Sequence, residues 1–521
     1  MTENDKRHVN SDRSGRSRST APVTSADATA PAAGPPATDL VVIGGGPAGL
    51  FAALTAARAG LRATVLEAGG DMGQSLCPRV VARLKGRTVR EAEKFRLQCP
   101  RCDCLTGLGG AAFHFDTNLG YIAALTRSKI EAAGDGTTRS YSGLERALGS
   151  FDRAQDLIAE VYRTMFALGL PEAGAAHQQD GSELQLECGV FEHVDTAQSQ
   201  SVTVDVALDV IANLCAELAD AGSQVLLRHR ATEVLRQEDG TFLVRAQSAD
   251  GLVELHAPAV VVATGKLGLP WVQEVIRANG VRHRPARRVD VGVRLETSQQ
   301  DMAPLLDSCH NPKLSFLNDR GEAVRTFCVC GGGRVMQYSF LGAVALDGQH
   351  CLNQPTSRSN MGILTTVDVP EGEDGTDYAR RFATRVAEYG GGRPVVCTVD
   401  ELRGAAAAGE PSTSLIDYRH GNLRDCLPES VVRDVLEMVD RLNALHPGLV
   451  PGTATVAAPV VERLFPDLEL SGDMESSVPG LYFVGDSSSK IIGITYGAAT
   501  GIAAARSVAA RLAPALTGGG R

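Results

Sequence analysis

The stretch 39–67, DLVVIGGGPAGLFAALTAARAGLRATVLE, restricts the possible folds of this chain more than any other. It opens with an apolar run, 40–43, short enough to be one buried parallel strand. Gly44, Gly46 and Gly49 follow in the G-x-G-x-x-G spacing and lead into an Ala/Leu-rich stretch that reads as helix. Gly60 ends that helix, and 63–66 is a second apolar strand closing on Glu67. Each part has a physical role. Gly44 permits the tight turn, Gly46 lets backbone approach a pyrophosphate, and Gly49 lets helix and strand pack closely. The helix start offers free N–H groups and a positive dipole end to phosphates. Glu67, 18 residues beyond Gly49, is placed to take ribose hydroxyls and disfavours a 2′-phosphate. An ordinary glycine-rich loop would not carry strand, helix, strand and acid in register. Gly44, Gly46, Ala48, Gly49 and Glu67 are therefore the candidate dinucleotide contacts.

The second informative block is 99–116. Cys99, Cys102 and Cys104 fall within six residues, with Cys77 upstream. They suit zinc or iron–sulfur ligands, redox-active or disulfide-forming thiols, or structural thiols. Structural zinc sites usually use two separated cysteine pairs, so no metal is assigned. Residues 107–112 carry so little side chain that backbone there can lie against a flat group such as a flavin ring, which makes Gly109 and Gly110 candidate contacts.

The fingerprint, the cysteine cluster and Gly109-Gly110-Ala111-Ala112-Phe113 resemble the uncharacterised FAD-dependent dehydrogenases of the two-dinucleotide-binding-domain flavoprotein superfamily. The resemblance implies FAD as cofactor and an α/β fold, a Rossmann-type FAD-binding domain with an inserted mixed α+β substrate domain. The chain departs from that family at Ala112, which replaces a glycine, and at His114-Phe115-Asp116, which replaces Phe-Ser-Asp.

Further along, 130–220 reads as mostly helical, with a loop at 128–141 and helical patterns over 150–170 and 204–218. Short strands are expected at 225–228, 232–235, 241–246, 252–256 and 259–263, the run from 225 forming a meander. The meander ends in Ala263-Thr264-Gly265, which resembles the step returning such a meander to the FAD sheet. Residues 289–297 begin the second domain, with Arg294 and Glu296 as interior polar residues, either functional or a structural ion pair. Antiparallel strands follow over 316–345, hinged at Gly331-Gly332-Gly333. Cys328 and Cys330 are expected on one strand face, poised to approach Cys99–Cys104. The glycines at 331–333 are not a second nucleotide fingerprint, because no apolar helix follows. Residues 480–486 are a strand ending in Gly485-Asp486, whose carboxylate suits a ribityl hydroxyl. Gly493 and Ile494 then open a small-residue helix whose positive end suits the charge that reduction places on a flavin. The expected layout is a disordered tail at 1–38, FAD-binding parts at 39–130, 225–288 and 456–521, a helical insertion at 131–224 and a substrate domain at 289–455.

The net charge of −10 argues against nucleic acid as a partner, and no apolar run is long enough to span a membrane. Residues 1–38 lack the apolar core of a secretory signal, so a cytoplasmic protein with mostly reduced cysteines is expected. Oligomeric state is not legible. The expected activity is FAD-dependent oxidation of a CH–OH or CH–NH group in a small polar metabolite, an oxidase of secondary metabolism being one form. His114, just after the glycine block, is the expected general base, with Lys490 and Tyr496 as weaker candidates. An NAD(P)H-dependent reductase or monooxygenase, and a non-catalytic FAD/thiol redox sensor, are the alternatives.

Overall fold

The computed structural model describes residues 38–71, 105–111, 117–120, 130–132, 138–140, 143–172, 190–191, 193–196, 199–308, 312–352, 355–462 and 465–518. His114 and Cys99, Cys102 and Cys104 lie outside the described residues, as does Cys77.

Two sheets organise the chain. The first has five parallel strands in the order Leu481–Phe483, Val260–Val262, Leu40–Ile43, Ala63–Glu67, Gln224–Leu227. Its central strands are apolar without alternation because both faces are covered. On one face pack the helices Pro47–Arg58, Phe151–Ala167, Val204–Asp220 and Ile494–Gly518. On the other lie a three-stranded antiparallel meander, Arg230–Arg236, Phe242–Ser248 and Gly251–Ala257, and the helix Leu269–Asn279. This is the Rossmann-type layering the opening stretch predicts.

The second sheet has eight strands. At its centre the long strand Arg288–Ser298 pairs antiparallel with Arg358–Asp368 on one side and Thr455–Glu462 on the other. The helices Gln299–Ser308, Gly375–Gly390 and Glu429–Leu445 bury their apolar faces with it in a second core. A separate hairpin, Arg334–Phe340 with Ala343–Gln349, lies beside this sheet. The fold is therefore α/β with a second, mixed α+β body.

Three local expectations change. Gln224–Leu227 is not the first meander strand but the outer strand of the parallel sheet, paired with Ala63–Glu67. Its composition suits either place, and only the partner decides. Within 128–141, Ile130–Ala132 and Thr138–Ser140 pair as a short hairpin rather than a loop. The strand Ala323–Cys330 carries a bulge between Phe327 and Cys330, with Cys328 at φ 37°, so regular alternation fails where Cys328 and Cys330 were expected to share a face.

Candidate active site

Three glycine-bearing segments, far apart in sequence, converge at the carboxyl ends of the parallel strands. The Gly109 amide donates to the Gly45 carbonyl at 2.8 Å, which lays the second glycine block on the fingerprint turn. A Cβ on Gly110 would stand 2.9 Å from the Gly46 Cα, and one on Gly485 would stand 3.1 Å from the Ala48 Cβ. A Cβ on Gly49 would come within 2.0 Å of the Gly44 carbonyl oxygen, so the close packing expected of the third fingerprint glycine is real. Gly44, at φ 113°, has the Ala263 carbonyl 2.2 Å from its Cβ position, leaving no alternative to glycine. Beside the Cβ position of Gly46, the only close neighbour among the described residues is Gly110, at 3.7 Å. Gly46, Ala48, Gly110 and Gly485 thus bring the backbone of the three segments into close contact.

Glu67 is buried at the end of its strand. Its carboxylate accepts from the Gly45 amide at 2.8 Å and from the Gly69 amide at 2.7 Å. An ionised carboxylate has about four acceptor sites, so this fixes the group while leaving capacity for ribose hydroxyls. Ala263, Thr264 and Gly265 follow the neighbouring strand Val260–Val262, with the Ala263 carbonyl against Gly44. The Thr264 amide donates to Ser487 Oγ at 2.9 Å, pinning this turn to the Gly485-Asp486 turn. Gly493, at φ 121°, precedes Ile494, the first residue of the terminal helix. The sequence-derived cofactor residues within the described chain therefore lie on segments that meet at the carboxyl end of the parallel sheet. A dinucleotide fits this donor set: bared backbone and a helix start for the pyrophosphate, and fixed carboxylates for sugar hydroxyls.

Beyond Asp486 begins a set of buried charges that the sequence did not single out. Lys266 Nζ donates to the Val461 carbonyl at 3.0 Å and forms an ion pair with Glu462. The ammonium also lies 5.5 Å from the Tyr338 ring centre and 5.3 Å from that of Phe340. Burial opposes its charge, yet Glu462, helped by Tyr338 and Asp347, holds its pKa above the ordinary lysine value. Burial raises Glu462 above the usual carboxylate range, and Lys266 offsets part of this. Asp486 is pushed up to about 6, by burial and by the Glu462 charge. The Tyr338 hydroxyl is buried with no hydrogen-bond partner among the described residues.

Tyr338 and Phe340 share one face of the hairpin with Asp347, which pairs with Met336. Asp347 is partly exposed and lies 3.6 Å from Arg294 Nη1. Arg294 itself is wholly buried. It donates to Asn360 Oδ1 at 2.8 Å and to the Cys328 carbonyl at 2.5 Å, and its Nη2 lies 3.4 Å from Cys330 Sγ. A Cβ on Gly348 would sit 1.7 Å from Arg294 Nη2, so the guanidinium lies flat against the hairpin backbone. Glu296 does not pair with Arg294. It accepts from Thr413 Oγ1 at 2.7 Å and from the Ser414 amide at 2.9 Å. Cys328 and Cys330 are both free thiols pushed up to about 11 by burial, hence protonated and poorly nucleophilic at neutral pH. Lys490 is engaged with Asp467, and Tyr496 lies beside Gly493. Among the described residues no group of three or more His, Cys, Asp or Glu side chains is arranged to hold a metal ion. None of the described helices is long and apolar enough to cross a membrane.

A Rossmann-type sheet whose glycine turns converge at its carboxyl end is the arrangement of a nucleotide-dependent oxidoreductase of the flavoprotein type. The chain belongs to the pyridine nucleotide-disulphide oxidoreductase family, whose model matches residues 38–335. No curated protein matches it. Among solved structures it is similar to a mutant form of the E. coli quinol fumarate reductase FrdA, at 15% identity and TM-score 0.41, over 93% of this chain and 71% of that one. It is also similar to a flavoprotein/dehydrogenase from Cytophaga hutchinsonii, at 11% identity and TM-score 0.36, over 91% and 79%. A third is the 3-ketosteroid-delta4-(5alpha)-dehydrogenase from Rhodococcus jostii RHA1, at 14% and 0.37, over 91% and 96%.

Proposed function

We propose that this FAD-dependent oxidoreductase oxidises a CH–OH or CH–NH group of a small polar metabolite, as a dehydrogenase or an O2-using oxidase. FAD is the cofactor, and when bound it supplies a two-electron acceptor. Gly44, Gly46, Ala48, Gly49, Gly109 and Gly110 would hold it by backbone approach, and Glu67, Thr264, Gly485, Asp486 and Ile494 by polar contacts or the helix end. The observation that carries the substrate reading is the buried polar set running from Asp486 through Glu462, Lys266 and Tyr338 to Asp347 and Arg294. A site for a purely apolar substrate would not keep so many charges out of water, because each is costly unless it has work to do. Of this set Asp347, partly exposed although it lies against Arg294, is the group with access to water and so to a substrate hydroxyl or amine. His114 remains a candidate base on its sequence position. A place in secondary metabolism and a cytoplasmic setting belong to the same reading.

A second reading is favoured by the family itself: reduction by NADH or NADPH, as in a flavin reductase or monooxygenase. Against it, Gly331–Gly333 lead into the strand Arg334–Phe340 and not into a helix, so they form no second phosphate cradle. An anaerobic absorbance titration of the purified protein with NADH and NADPH separates the two. An oxidised flavin band unchanged by either, but bleached by an alcohol or amine, supports the proposal. Rapid bleaching by either nicotinamide overturns it.

A further inference from the structure

Three parts of the chain meet at the Lys266 ammonium. Lys266 follows directly on the Ala263-Thr264-Gly265 turn of the parallel sheet. Its Nζ donates to the Val461 carbonyl at 3.0 Å and pairs with Glu462, both in the strand Thr455–Glu462 of the larger sheet. The same ammonium stands 5.5 Å from the Tyr338 ring centre and 5.3 Å from that of Phe340, in the outer half of the hairpin. The two ring centres are 6.2 Å apart on one hairpin face, and Phe340 meets Phe465 edge-on at 6.3 Å. The other face of the hairpin is held by apolar packing, Val335 and Leu346 lying with Leu364, Val396, Ala457 and Val460 of the larger sheet. Between its strands the hairpin turns through Leu341, at φ 53°, and Gly342, at φ 80°. A leucine in that conformation is strained, and it persists because Leu341 packs against the second core.

We propose that Lys266 is a positioning residue: with Glu462 as counter-charge, it latches the outer half of the hairpin to the Ala-Thr-Gly turn and so fixes where Asp347 stands relative to the proposed FAD site. Asp347 lies on the same hairpin face as the two rings. It pairs with Met336, one diagonal step from Tyr338, which pairs with Ala345. The hairpin is then fixed at two points: by Arg294, flat against Gly348 and 3.6 Å from Asp347, and by Lys266 at the rings. The Lys266 side chain is 20% exposed and that of Glu462 6%, so water screens the ammonium little and its attraction to both rings is strong. The inference rests on the reading of Asp347 as the group that meets the substrate, whereas the latch itself is a matter of contacts.

The test is amide hydrogen exchange of the FAD-loaded full chain, read by mass spectrometry for the hairpin, 334–349, with the central strand Arg288–Ser298 as internal control. Lys266→Ala/Glu462→Gln removes the ammonium without leaving a buried, unpaired carboxylate. It is expected to speed exchange in the hairpin by about tenfold or more and to leave the central strand unchanged. Lys266→Arg keeps both the ion pair and the stacking on the rings, and is expected to exchange as the wild type does. Tyr338→Leu keeps the ion pair and removes one ring, so it gives a smaller rise confined to the hairpin, and it carries the test should the double variant misfold. A merely structural ion pair would loosen hairpin and central strand together. Hairpin exchange at the wild-type rate, or an equal rise in the central strand, overturns the inference. Exchange needs no turnover, so that failure is separate from failure of the substrate reading. If Asp347→Asn leaves flavin bleaching by an alcohol or amine at the wild-type rate, the reading of Asp347 falls, and with it the purpose given to the latch, whatever the exchange of the hairpin.

Discussion

Arg294 shows how much one side chain holds together. Its guanidinium ties the central strand of the larger sheet to Asn360 on the neighbouring strand and to the bulge at Cys328. It also faces Asp347 on the hairpin. Arg294→Met would keep the volume but orphan the Asn360 and Cys328 acceptors. We expect a loss of about 3 kcal/mol or more in urea unfolding, since unsatisfied buried groups cost about 1–3 kcal/mol each. Asp486 presents the opposite case, a charge the fold disfavours. Its pKa rises from 3.8 to about 6 on folding, so the folded state binds the extra proton between those values. Stability of the apoprotein is therefore greatest below pH 3.8 as far as this group is concerned, and falls as pH rises toward 6. Asp486→Asn removes that dependence. Relative to wild type, the variant should gain up to about 3 kcal/mol as pH climbs through the window, a difference that thermal melts at pH 4 and pH 7 would measure. Equal gains at both pH values would refute the assignment.

Among elements, the first and last helices cross at very close range. A Cβ on Gly501 in the terminal helix would lie 2.1 Å from the Ala48 carbonyl oxygen of the first. Gly501→Ala is expected to push the helices apart, at a cost of about 1–3 kcal/mol, and to loosen FAD because Ala48 is one of the proposed cofactor contacts. Gly391→Ala, at a helix end with open space around its Cβ position, is the control: it strains only a left-handed φ of 63° and should leave FAD affinity unchanged. The two helices were readable in sequence because 47–58 and 498–512 are rich in small residues beside glycine turns. The strands Leu40–Ile43, Ala63–Glu67 and Leu481–Phe483 were readable because burial on both faces leaves an unbroken apolar run. Gln224–Leu227 was misplaced because a strand's sequence does not name its partner. The bulge at Cys328 left no trace, since bulges follow from pairing and not from residue type. The pair Lys266–Glu462 was missed for a related reason: its members are 196 residues apart, and neither belongs to a local motif.

For the whole molecule, the proposed FAD site draws on segments from both ends of the described chain, so ligand and fold must be linked. FAD at a hundredfold its dissociation constant should stabilise the protein by about 2.7 kcal/mol, and stripping it should lower the melting temperature correspondingly. A melting temperature indifferent to added FAD would contradict a site built this way.

The order of strands in the parallel sheet also has a consequence for biosynthesis. Val260–Val262 must wait for Leu481–Phe483 to cover its outer edge. At about 5–20 residues per second, the ribosome needs roughly 10–45 s to bridge that interval. Throughout it the nascent sheet presents an open, apolar strand to every other chain in the cell. Chains stalled at residue 480 should accordingly fail to retain FAD and should engage chaperones, whereas chains released at full length should do neither.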